Sequence, residues 1–195
     1  MKAGFFNRLF AYMIDVIVIN MIFSIVTVGV STQRIEDLTM ELNSVSEAYV
    51  LGEIDESEYM DKSIDLTYKI EEASISRNSI YVVLVIGYFV MFQYFNRGAT
   101  IGKKLARIRI VENGKEPSLK AIFLRSVFIN GILANVLNIV LIYVLDKNNY
   151  FWAYTAVTSV IGLFIFISAI MILYKKDRRG LHDMIARTDV VMEGK

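Results

Sequence analysis

Asp15 stands ten residues into an apolar run that begins at Phe5, and a carboxylate at that depth is the group in this sequence with the clearest chemistry. At about 1.5 Å of rise per helical residue it lies roughly 15 Å inward, near the middle of a ~30 Å hydrocarbon core. Placing it there costs about 2.5–3.5 kcal/mol, so it must face protein and either keep its proton or find a partner. Arg8, Ala11, Tyr12 and Asp15 share one helical face. Arg8 and Asp15 are nonetheless ~10.5 Å apart along the axis, and helical side chains lean toward the N-terminus, which turns the guanidinium away from the carboxylate. The partners open to Asp15 are Tyr12, a cation from a loop or a later span such as Arg125, or water.

Such an acid can bind and release a proton or a small cation, and Asn130, Asn135 and Asn138 in a later apolar run could supply amide oxygens beside it. The plainer role is a buried pin for helix packing, with the asparagines hydrogen-bonding across helices. Lys103, Lys104, Arg107 and Arg109 form a basic stretch suited to anionic lipid headgroups, and the alternation from Arg107 to Ile110 reads as a short strand or a segment lying on the membrane surface. The glycines at 98 and 102 do not make a phosphate loop, because Lys104 stands where a magnesium-binding hydroxyl belongs. His182 and Asp183 adjoin each other, which on a helix points them apart; His182 reads as a surface group able to titrate near neutral pH. Asp183 is expected to pair with Arg8 or Arg125 and tie the tail to the bundle. With no Cys, one His and no triad or paired-carboxylate pattern, neither catalytic residues, a metal site nor a cofactor is expected.

The elements that must position these groups are membrane helices. Of 195 residues 55% are hydrophobic, and four continuous apolar runs, about Phe5–Val30, Ile80–Phe95, Ala121–Val144 and Phe151–Tyr174, are long enough to cross a bilayer as helices. They divide the chain into spans at 1–30, 79–96, 121–144 and 151–174, connections at 31–78 and 97–120, and a tail at 175–195. The first connection holds twelve acidic residues against four basic ones, the second seven basic against two acidic. Since Lys and Arg near span ends stay in the cytoplasm, both termini and the 97–120 loop should be inside and the acidic segment outside. In that segment Ile35, Leu38, Leu42, Val45 and Tyr49 make a helical apolar stripe, Gly52 interrupts it, and Asp55 with Glu58 forms a capping box for a second helix. The expected fold is all-α: a four-helix transmembrane bundle with an extracytoplasmic helical hairpin inserted.

Three stretches carry a resemblance. Arg8 to Asp15 in the first span, Thr100 to Val111 in the basic loop and Arg179 to Thr188 in the tail, in that order, resemble the RDD family of bacterial membrane proteins, named for an Arg and two Asp. The match identifies Arg8, Asp15 and Asp183 as the naming residues and leaves residues 31–79 outside the pattern. What the resemblance implies is a multi-pass protein of the bacterial cell membrane, with suggested roles in ion or solute transport and in regulating other membrane proteins. The expected function is a non-catalytic accessory protein acting on a membrane partner or on a second copy of itself. The alternative is a cation/proton exchanger or small-solute transporter using Asp15, Tyr12 and the Asn-bearing third span. The bilayer is the one certain partner on this reading, and no nucleic acid is expected. The charge pattern makes a direct prediction: reporters fused after Lys195 or between Lys103 and Lys120 read cytoplasmic and one at Gly52 reads external, and a cytoplasmic reading at Gly52 would reverse the topology.

Overall fold

The structure is a computed structural model that describes residues 1–193; Gly194 and Lys195, the end of the expected tail, lie outside the described residues. Helix α1 spans Phe5–Val26, α2 Gln33–Val50 and α3 Glu56–Phe95. After α3 come the short α4, Ile101–Leu105, and strand β1, Ile108–Glu112. Helices α5, Leu119–Ile129, and α6, Ile132–Val144, precede α7, Lys147–Tyr174. The chain closes with the five-residue α8, Leu181–Ile185, and strand β2, Thr188–Met192. Three helices, α1, α3 and α7, are long and apolar enough to cross a membrane, and α5 with α6 makes a fourth if that bent pair counts as one span.

The outward faces fit a lipid surrounding. Helix α1 buries only Ala11, Asp15 and Ile19, spaced four apart on one stripe, while Phe6, Met13, Ile17, Met21 and Ile25 are exposed. A helix apolar on every side but buried on one stripe belongs in hydrocarbon. The inner core runs from Ile19 across Val85, Tyr88, Phe89 and Val90 to Ile122 and Ile132.

Helix α3 differs from the expected arrangement. The second helix of the expected hairpin and the second span run on as one helix of 40 residues, so no turn separates them near residue 78. No Gly or Pro interrupts the chain between Asp55 and Ile86, and the Asp55 carboxylate starts the helix by accepting the Glu58 N–H at 2.8 Å. Arg77, in the middle, lies 5.3 Å over the Phe23 ring. Helix α2 folds back along α3 with Ile35, Leu38, Leu42 and Val45 half-buried and Tyr49 exposed, stacked on Tyr59 at 4.5 Å. None of its residues is fully buried.

Two breaks shape the other end. Residues Gly87–Phe92 of α3 form a π-turn, which inserts a residue and so turns Tyr88, Phe89, Val90 and Gln93 all inward. Ser126 of α5 donates to the Phe89 carbonyl in that turn at 3.1 Å. The expected third span is broken at Asn130–Gly131, where Gly131 has φ of 72° and the axis bends by 66°.

The all-α expectation needs a second correction. Strand β1 does form where Arg107 to Ile110 alternate, but it is paired: β2 runs antiparallel to it, with Ile110 opposite Val190 and Glu112 opposite Thr188. The N-terminus adds itself to β2, the Ala3 N–H donating to the Val190 carbonyl at 2.9 Å and the Met192 N–H to the Met1 carbonyl at 2.9 Å. Ala3, Ala11, Ile108, Ile110 and Val190 form one buried cluster beneath this small sheet, against the start of α1. The helical reading missed β2 because five residues of Thr, Asp, Val and Met at the end of a chain carry almost no periodic signal. Val190→Asp places an unpaired charge in this cluster and should cost about 2–4 kcal/mol in unfolding experiments. Val191→Asp, on the half-buried face of β2, should cost less than about 1 kcal/mol; equal losses would mean that the sheet does not pack on α1.

Candidate functional site

The charged residues of α1, the basic loop and the tail converge on two buried carboxylates. Asp15 is 1% exposed, and every hydrogen bond it accepts comes from the segment that carries the π-turn, Thr100 and α4. The Tyr88 hydroxyl donates to Oδ1 at 2.6 Å and the Gly102 N–H to the same oxygen at 2.7 Å. The Thr100 hydroxyl donates to Oδ2 at 2.5 Å, and Lys103 Nζ stands 3.9 Å from Oδ2.

Local sequence explains this convergence. Thr100 caps α4 by accepting the Lys103 N–H at 3.3 Å, and the Ile101 N–H donates to the Tyr88 hydroxyl at 3.2 Å. The N–H groups of the first three residues of α4 are therefore all satisfied, one of them by a buried carboxylate. Only glycine fits at 102: a Cβ there would stand 2.1 Å from the Ala11 carbonyl oxygen and 2.8 Å from Asp15 Oδ1. Gly98 serves the same end, since its φ of 91° and the Ile110 carbonyl 2.3 Å from its would-be Cβ let the chain turn from α3 onto β1.

Asp183 is fully buried and holds two arginines. Arg8 Nη1 meets Oδ2 at 2.7 Å, and Arg125 pairs with Oδ1. Oδ2 also accepts the Gly180 N–H at 3.1 Å, which closes the start of α8. Arg8 spends its other hydrogens on the carbonyls of Arg178, at 2.6 Å, and Ala3, at 3.3 Å. Next to this pair His182 is 1% exposed, with Nδ1 2.6 Å from the Ser168 hydroxyl, which also accepts the Leu181 N–H at 3.0 Å. Burial first, then the cations Arg125, Arg8 and Lys103, hold its pKa well below the usual imidazole value. It is a neutral core group, which corrects the expectation of a titrating surface histidine. His182 Nε2 and Asp183 Oδ1 are 3.6 Å apart, so the two do not act as a dyad.

The partners of Asp15 are thus neither Tyr12 nor Arg125, and Arg8 serves Asp183 rather than Asp15. Nor do the asparagines join it as a set. Asn135 donates to the carbonyl of Gly131 at 2.8 Å, and Asn138 donates to Glu71 Oε2 at 2.8 Å while accepting from the Tyr150 hydroxyl. Asn130, at the bend of α5 and α6, lines the same cavity as Tyr12 and Asp15. Of the basic stretch, Lys104 and Arg107 are exposed and Arg109 is half-buried. Lys103 turns inward instead: its Nζ donates to Gln93 Oε1 at 2.9 Å, and burial, outweighing the attraction of Asp15, holds its pKa down to about 8. Among the described residues no cluster of three or more metal-ligating side chains occurs.

Tyr88, Gln93 and Ser168 belong to the site and were not singled out from the sequence. The first two need the π-turn, which leaves no mark in periodicity. Ser168 is one hydroxyl in a long apolar run, and its signal was only that isolation.

Asp15→Asn keeps the shape but weakens the acceptor, and should lower stability in neutral detergent by about 1–3 kcal/mol. Gly102→Ala forces α4 off α1 and should cost at least as much although it removes no charge; an unchanged melting temperature in Gly102→Ala would show that the contact is not tight.

The RDD family profile matches residues 2–187, which includes the acidic segment that the resemblance by motif left out. The uncharacterized protein YckC of Bacillus subtilis (strain 168) is 33% identical over 115 residues, covering 58% of this chain and 60% of YckC. No solved structure matches. With nearly its whole length under the family profile, the chain belongs to the RDD family.

Proposed function

We propose that this protein is a non-catalytic accessory protein of the bacterial cell membrane, a four-span bundle that acts on a membrane partner. On this reading both termini, the basic loop and the strand pair lie on the cytoplasmic side, and α2 with the first half of α3 projects outside as an acidic helical hairpin. The distribution of Lys and Arg supports that orientation.

One observation carries the accessory role. The oxygens of Asp15 and Asp183 are all taken by groups of the protein itself, and Asn138 is tied to Glu71 and Tyr150, away from Asp15. A carboxylate that carries protons or cations has to exchange partners during each cycle, whereas these two hold loops in place. A protein so braced suits a docking role, and the projecting α2, with no fully buried residue, offers the surface.

The alternative, a cation/proton exchanger or small-solute transporter using Asp15 and the third span, has one observation in its favour. The break at Asn130–Gly131 puts a discontinuous helix beside a cavity, as transporters do at their binding sites. Purified protein in proteoliposomes separates the two. The accessory reading expects no cation-dependent proton flux above that of empty vesicles. A flux lost in Asp15→Asn, with folding retained, would replace it with the exchanger.

A further inference from the structure

Between the two carboxylate nodes lies a cavity of about 270 Å³. Arg8, Asp15, Lys103 and Arg125 line it, and Asp183 is paired with two of them, Arg8 and Arg125. Three cations against two carboxylates, with His182 neutral, leave one positive charge uncompensated in a buried space, and an unpaired charge there is costly. Both carboxylates already accept bonds, while Gln93 Nε2 is a buried donor without a protein partner among the described residues. Gln93 is 1% exposed and lines the cavity, and so does His182, whose Nε2 also has no partner. What such a site lacks is an acceptor carrying about one negative charge.

Much of the remaining lining is apolar, and part of it reaches the surface: Leu9 and Tyr12 of α1 and Ile165 of α7 are 40%, 42% and 38% exposed. Helices α1 and α7 touch only lightly, leaving this gap between them. At about 30 Å³ of liquid volume per water or methylene-sized group, the space takes a small head group and a few methylenes. A longer chain would have to leave between α1 and α7, into the surrounding hydrocarbon.

We propose that this cavity binds the oxyanion head of a singly charged amphiphile, an alkyl phosphate ester or carboxylate such as an anionic lipid, with the head at Lys103, Arg125 and Gln93 and the chain leaving past Leu9 and Ile165. Such a site differs from general attraction of exposed basic residues to headgroups, because the groups that recognise the ligand are inside the protein.

The test uses the full chain purified in an uncharged maltoside detergent at about pH 5, where an alkyl phosphate carries about one negative charge, with thermal unfolding followed as decyl phosphate or inorganic phosphate is added. The proposal expects decyl phosphate to raise the melting temperature by several degrees and inorganic phosphate to leave it unchanged. Ala169→Leu, which fills the cavity wall without touching a charge, should raise the half-maximal decyl phosphate concentration at least about tenfold, equivalent to ~1.4 kcal/mol. Gln93→Leu, read the same way, serves if Ala169→Leu does not fold. Equal shifts with both phosphates would overturn the amphiphile in favour of a free oxyanion. No shift in the wild type, or an undiminished shift in the folded cavity variants, would overturn the site.

Discussion

The structure depends on buried carboxylates that accept backbone N–H groups from short helices. Asp15 takes the Gly102 N–H at 2.7 Å and Asp183 takes the Gly180 N–H at 3.1 Å, so each acid sits at the first turn of a five-residue helix. Neither helix is long enough to be stable alone. Each acid repairs the unpaired donors of its helix, and the helix N–H groups in turn stabilise a negative charge that hydrocarbon would reject. The same contacts dictate composition, since only glycine lets the backbone come close enough at 102, and a Cβ at 180 would stand 2.4 Å from Ser168 Oγ.

From these two clasps the rest of that end follows. With α4 fixed on α1, β1 is carried over the buried face of Ala11, and with α8 fixed on Arg8 and Arg125, β2 arrives beside β1. The first residues of the chain then lie against β2. Three segments that are far apart in sequence are thus welded into one platform at the basic end of the spans. Removing the Asp183 carboxylate would leave the buried charges of Arg8 and Arg125 unpaired, at about 3–5 kcal/mol, which makes the platform a rigid part of the protein rather than a set of loops.

Much of this was legible in the residues. The apolar runs, the capping role of Asp55, a pairing of Asp183 with Arg8 or Arg125, where the structure has both, and the turning away of Arg8 from Asp15 follow from depth, spacing and the lean of helical side chains. What was not legible depends on events that hydrophobic periodicity does not record. A π-turn of six residues decides that Tyr88 and Gln93 face inward, and the bend at Gly131 splits a run that reads as one span. The continuity of α3 was hidden by its own change of character, acidic at one end and apolar at the other, which a composition-based division reads as a boundary. His182 looked like a surface group because a single histidine offers no partner in sequence; its partner, Ser168, lies on another helix.

The central claim is that the two carboxylates clamp α4 and α8 to the spans, and amide hydrogen exchange at Gly102 and Gly180 tests it most directly. The account predicts that both amides exchange as slowly as those in the middle of α1, and far more slowly than that of Gly114 in its exposed turn. It further predicts that Asp15→Asn speeds exchange at Gly102 while leaving Gly180 protected. Exchange at Gly102 and Gly180 in the wild type as fast as at Gly114 would contradict the account, because the short helices would then be open loops and the platform would have no clasp.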